Sequence, residues 1–120
     1  MALTVTGFSS SSLTYKMAAE TNASDTASTD IFGGSGTLYA IDFDNQAGNA
    51  AYLKLYLTSG TVTVGTTQPT VMFKLAANKR THINLPTGLA FTQLSFWVTD
   101  AAVHTDTGDP GTVVVTFLCA

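Results

Sequence analysis

The chain has 120 residues, of which 11% are charged, against about 25% in an ordinary soluble domain, and its formal net charge is −3. That balance excludes a phosphate-binding face, because Lys16, Lys54, Lys74, Lys79 and Arg80 form no basic stripe and only the last two are adjacent. The length suits one domain that buries roughly two thirds of its unfolded surface without help from a disulfide or metal, and no run nears the roughly 18 apolar residues of a membrane span.

Polarity is carried by Thr, Ser, Asn and Gln rather than by charge. Thr is β-branched, stiff at χ1 and suited to a pleated surface, so a Thr-rich chain punctuated by Gly predicts an all-β protein. "LTVTGF" (3–8) alternates apolar and polar and predicts a short strand or docking arm. The following tract, 9–30, is small and polar and holds Glu20, Asp25 and Asp30; "LTYKMAA" within it reads as a strand, or "KMAAE" as a helical turn. Residues 21–30 offer too little apolar surface to offset their ordering entropy and are expected as a loop or mobile segment. The division is therefore an N-terminal arm over 1–30 and a sandwich over 31–120.

"FGGSG" (32–36) opens the sandwich as a Gly hinge, and "TLYAIDFDN" (37–45) follows, with Tyr39, Ile41 and Phe43 on one face and Leu38, Ala40 and Asp42 on the other. After the turn "NQAGN", the run 50–59 sets Leu53, Leu55 and Leu57 against Tyr52, Lys54 and Tyr56, and the pair predicts a hairpin. "GTVTVGTTQPT" (60–70) reads as a long connection in which "TVTV" adds a short edge element. Gly65 permits its bend, and Pro69 ends it. Next come "VMFKLAA" with Val71, Phe73 and Leu75 inward, "THINLP" with Ile83 and Leu85 inward, and a brief "GLAF". "LSFWVTD" (94–100) is apolar on both faces, "AAVHTDTGDPG" (101–111) is an Asp- and Gly-rich loop, and "TVVVTFLCA" (112–120) closes as a buried strand. Roughly eight antiparallel strands with turns between them predict a two-sheet sandwich of the jelly-roll type.

Residues of catalytic type are scarce, and no catalytic, cofactor-binding or metal-binding residue is assigned. His82 stands between "KR" and Ile83, and His104 lies near Asp106 and Asp109 in the 100–111 loop, where a cation would need a further ligand from elsewhere. "DFDN" (42–45) lacks the Gly and distal Glu of a calcium loop, "GGSG" lacks a nucleophile elbow's setting, and "NAS" at Asn22 has no secretory route to glycosylation. Tyr39, Tyr52, Tyr56 and Trp97 are expected in the core or at a subunit interface rather than on a glycan platform. Cys119, the one cysteine, permits no intrachain disulfide and is expected as a buried apolar group. "MALTVTGFSS" lacks the features of a secretory signal, so synthesis in a cytoplasm is expected.

The ordered series "AAYLKLY", "TVGTTQPTVMFKLAANKR" and "INLPTGLAFTQLSFWVT" resembles a family of small virion proteins of tailed bacteriophages, cyanophages among them. The likeness covers roughly residues 37–118 and carries no catalytic residue. It implies a jelly-roll virion component: a capsid decoration (cement) protein, bound as a homotrimer to the major capsid protein, with the 1–30 arm reaching a neighbouring subunit. The alternative it leaves is a receptor- or glycan-binding module of a tail fibre or spike, using Trp97, His104, Asp106 and Asp109. The expected location is the virion, with neither nucleic acid nor membrane as a partner.

Overall fold

The structure, a computed structural model, describes residues 3–7 and 15–120. Among these residues there is no helix, and eight strands lie in two facing antiparallel sheets. The large sheet contains β1 (Leu3–Gly7), β2 (Lys16–Glu20), β3 (Gly36–Asn45), β6 (Lys79–Phe91) and β8 (Val113–Cys119), in the order β1-β2-β8-β3-β6. The small sheet contains β4 (Ala51–Tyr56), β5 (Val71–Leu75) and β7 (Ser95–Thr99), in the order β5-β4-β7.

Alternation along each strand fills the space between the sheets. Ile41 and Phe43 of β3 and Val113, Val115 and Phe117 of β8 face Leu53 and Leu55 of β4 and Phe96 and Val98 of β7. Phe96 and Phe117 meet across the gap with ring centroids 4.9 Å apart. Burying each such side chain contributes about 1.5–3 kcal/mol. Cys119, as expected, is a buried thiol at the end of β8, and burial pushes its pKa upward.

The chain shuttles between sheets in the jelly-roll manner. The expected hairpin between 37–45 and 50–59 does not form: β3 pairs with β6 and β8, whereas β4 pairs with β5 and β7. Alternation fixes which face a strand buries but not its partner, so an arch between sheets satisfies the same pattern as a hairpin. Asn45 secures the arch. Its amide Nδ2 donates to the carbonyls of Asn49 (2.8 Å), Ala76 (3.1 Å) and Leu75 (3.3 Å), and its Oδ1 accepts from Ala47 N at 3.1 Å.

Three local expectations change as well. A bulge between Leu38 and Ala40 shifts the register of β3, so Leu38 turns into the core and Tyr39 turns out, the reverse of strict alternation. "THINLP" and "GLAF" are one strand, β6, bent at Gly88 (φ 77°), where a Cβ would lie 2.3 Å from Thr37 Cγ2. "TVTV" adds no edge strand. Thr66 N and Thr67 N instead donate to Thr63 O (3.0 and 2.8 Å), and Thr67 Oγ1 accepts from Thr63 N at 2.8 Å.

The described part of the expected N-terminal arm is bound into the sandwich. "KMAAE" is a strand rather than a helical turn: β2 lies between β1 and β8, with Ala18 and Glu20 fully buried. Beyond it, 24–28 runs along the outer edge of β7. Val98 N donates to Ser24 O, and Ser28 and Phe96 exchange both backbone bonds, each at 2.9 Å. Ala23 is fully buried, and Ile31 N donates to Leu94 O. This stretch acts as a fourth member of the small sheet, giving four elements opposite β2-β8-β3-β6. Residues 1–2 and 8–14 of the expected arm lie outside the described residues.

Candidate functional site

Both outer faces of the sandwich hold sequence candidates. On β4 and β7, Lys54 and Trp97 are register partners pointing away from the core, and both are fully buried. The 100–111 loop closes over Lys54, beside Trp97: Lys54 Nζ donates to Val103 O at 2.8 Å. Asp100 and Gly108 close the loop neck through Asp100 N to Gly108 O, 3.0 Å, so tightly that a Cβ on Gly108 would lie 2.3 Å from Asp100 Oδ1. The "VGTTQP" bend supports the loop from the side, with a Cβ at Gly65 (φ 91°) falling 2.9 Å from Thr107 Cγ2.

The loop's charges are spent on its own closure. Asp106 Oδ2 accepts from Ala101 N at 3.1 Å, and Asp109 Oδ1 accepts from Gly111 N at 3.0 Å. The Asp106 carboxyl, placed to hydrogen-bond the protonated form of Asp100, raises the Asp100 pKa, with burial and mutual repulsion adding to the shift. Burial lowers the Lys54 pKa, while the nearby Asp106 and Asp100 charges oppose that shift. Among the described residues no three His, Cys, Asp or Glu side chains converge as a metal site. His82 stands on the other sheet, far in topology from His104.

Trp97 cannot stack on a sugar, because nothing of it is exposed. Its Nε1 is buried, with no acceptor among the described residues. Of the other aromatics singled out, Tyr39 meets Tyr15 edge-on with centroids 6.1 Å apart, and Tyr52 lies under Lys74 with Nζ 5.8 Å from the ring centre.

By contrast, no second layer covers the outer face of the large sheet among the described residues. Met17, Ala40, Thr116 and Leu118 floor an open depression of about 240 Å³ that Asp42 and His82 border. Arg80 grips Asp42 with both ends of its fork, Nε reaching Oδ1 at 3.1 Å and Nη2 reaching Oδ2. That bond holds the Asp42 carboxyl below its ordinary range. At the sheet's end, β1 is exposed along its whole length, with Leu3 at 37% and Val5 at 45% of full exposure. Sequence reading marked "LTVTGF" as a strand or docking arm, but only pairing could show one edge of it to be bare.

Comparison with protein-family models, with curated proteins and with solved structures finds no match. The fold class follows from the strand pairing itself: an all-β sandwich of two antiparallel sheets.

Proposed function

We propose that this chain is a structural virion protein, a capsid decoration protein that adheres to the major capsid protein of a phage head and stiffens it. The observation that carries the reading is the uncovered outer face of the large sheet, where Met17, Ala40, Thr116 and Leu118 floor an open depression. Exposed apolar surface of this kind marks contact with other proteins. The resemblance of 37–118 to phage virion proteins supplies the kind of partner. The work is mechanical: apolar area buried across capsomer boundaries, repeated over a shell, sums to a large resistance to internal pressure.

Co-sedimentation of the purified protein with emptied phage heads tests this reading. Stoichiometric, saturable binding that raises the temperature of head disruption is the expected result. A protein that ignores heads yet binds host polysaccharide belongs instead to a fibre or spike, with a site other than buried Trp97.

A further inference from the structure

The edges of the two sheets differ in how they are guarded. An unpaired edge presents a row of free N–H and C=O groups, and proteins blunt it with charge, proline or a covering segment. In the small sheet the outer edge of β7 is covered by 24–28, and β5 carries Lys74. In the large sheet the free edge of β6 carries Lys79, Arg80 and Pro86. β1 has none of these guards: its sequence, LTVTG, holds neither charge nor proline, all five residues are exposed, and among the described residues only β2 pairs with it.

We propose that β1 pairs antiparallel with β1 of a second copy of this chain, in a register centred on Val5, joining two five-stranded sheets into one. The strand is self-complementary about that residue. Val5 meets its own image, an aliphatic cross-strand pair, while Thr4 meets Thr6 of the other copy and the reverse, a favoured hydroxyl pairing. Leu3 falls opposite Gly7, where a Cβ would meet nothing within 4 Å, so its side chain has room. Leu3 and Val5 share the face that β2 presents to the core through Glu20 and Ala18, and the pair therefore covers the exposed Leu3 and Val5 together. No charge meets its own image at the axis. Two-fold pairing uses the bare edge of both copies at once, whereas head-to-tail pairing would leave it bare at one end and set it against a guarded edge.

This inference goes beyond the virion reading and stands without it. It replaces the threefold assembly that the sequence resemblance implies with a twofold one. Five residues a side fall short of the roughly 20–30 of a standard interface, so the pair is weak and transient.

Light-scattering mass of the full chain over a concentration series, up to the roughly 1 mM range that a weak pair needs, tests it. The expected mass rises from the 12.5 kDa of one chain toward twice that value. Val5→Lys sets two ammonium groups against each other at the axis and is expected to raise the dissociation constant at least tenfold, with an unchanged circular dichroism spectrum. Val5→Cys gives a second measurement. Directly opposed antiparallel residues lie about 4.5–5.5 Å apart at Cα, within disulfide reach, so oxidised glutathione should link this variant into a dimer. Leu3→Cys should not link, since its image lies four residues along the strand, about 13 Å away. The unsubstituted chain is the control, because its Cys119 is buried. A monomer at every concentration, a trimer, a dimer indifferent to Val5→Lys, or equal linking of the two Cys variants would overturn the proposal. Head co-sedimentation of Val5→Lys separates the readings: binding kept while the dimer is lost leaves the decoration role standing alone.

Discussion

Trp97 and Leu118 both point away from the core, one from each sheet, yet Trp97 is fully buried and Leu118 is not. The small sheet is roofed by the 100–111 loop and hemmed by 24–28, so its outer face at Lys54 and Trp97 and its β7 edge are interior, while Met72 and Lys74 of β5 stay exposed. Among the described residues the large sheet carries no second layer over Met17, Ala40 and Leu118, and its β1 edge is bare. One core thus supports a closed side and an open side. Irregular chain closes the first, and that costs ordering entropy which only buried contacts offset. An open side left uncovered is the natural surface for a partner.

Truncation gives the largest expected effect. Removing residues 1–7 deletes a strand exposed along its length, and the remainder should melt cooperatively within a few degrees of the full chain. Removing 1–30 also deletes β2 and the cover on β7, with fully buried Ala18 and Ala23, and should leave no cooperative transition in calorimetry. A folded 31–120 fragment would break the comparison, because the closed side would then owe nothing to 24–28. Single side chains should show the same asymmetry. Trp97→Ala empties the space under the loop and is expected to cost about 3–5 kcal/mol. Leu118→Ala on the open face should cost about 1 kcal/mol or less. Denaturant unfolding of the two variants decides, and equal losses would mean that the loop is no roof.

The sequence made the strands and their inward residues legible, because alternation is a local property: Val71, Phe73 and Leu75 against Met72 and Lys74 came out as expected. It could not reveal the arch at Asn45, since the alternation of β3 and β4 fits either a hairpin or a crossing. Strict alternation also misplaced Leu38 and Tyr39, because a bulge adds a residue without leaving a mark in hydropathy. The segment 24–28 escaped for a different reason. It holds only small and polar side chains, and it is ordered by backbone bonds to β7 rather than by burial of its own apolar groups. The roof over Trp97 had a partial signal: "LSFWVT", apolar on both faces, states that something must cover the second face. Lys54 gave none, as an alternating Lys on a strand ordinarily faces water.

Acid should move the two outer sides in opposite directions, and this is the smallest and sharpest of the expected effects. Asp42 has its folded pKa lowered below the ordinary 3.8, chiefly by its hydrogen bond to Arg80. Its stabilisation is therefore present above 3.8 and is lost as pH falls through the folded value. Asp100 is shifted the other way, upward from 3.8, chiefly by its hydrogen bond with Asp106. Its stabilisation is complete below 3.8 and is lost as pH rises through the folded value. Lowering the pH from neutral should first tighten the loop neck, seen as greater protection (exchange relative to the unfolded-chain rate at the same pH) at the Asp100 and Ala101 amides, which donate to Gly108 O and Asp106 Oδ2. Only at lower pH should the Arg80–Asp42 pair on the open face let go, with little change in global stability because the pair is exposed. Asp100→Asn keeps a neutral partner for Asp106 at every pH, so its loop amides should lose the pH dependence while the Asp42 titration stays as it was. If protection at Asp100 and Ala101, referred to the unfolded-chain rate at each pH, falls on acidification, the two carboxyls repel without sharing a proton, and the neck is held by its backbone bond alone.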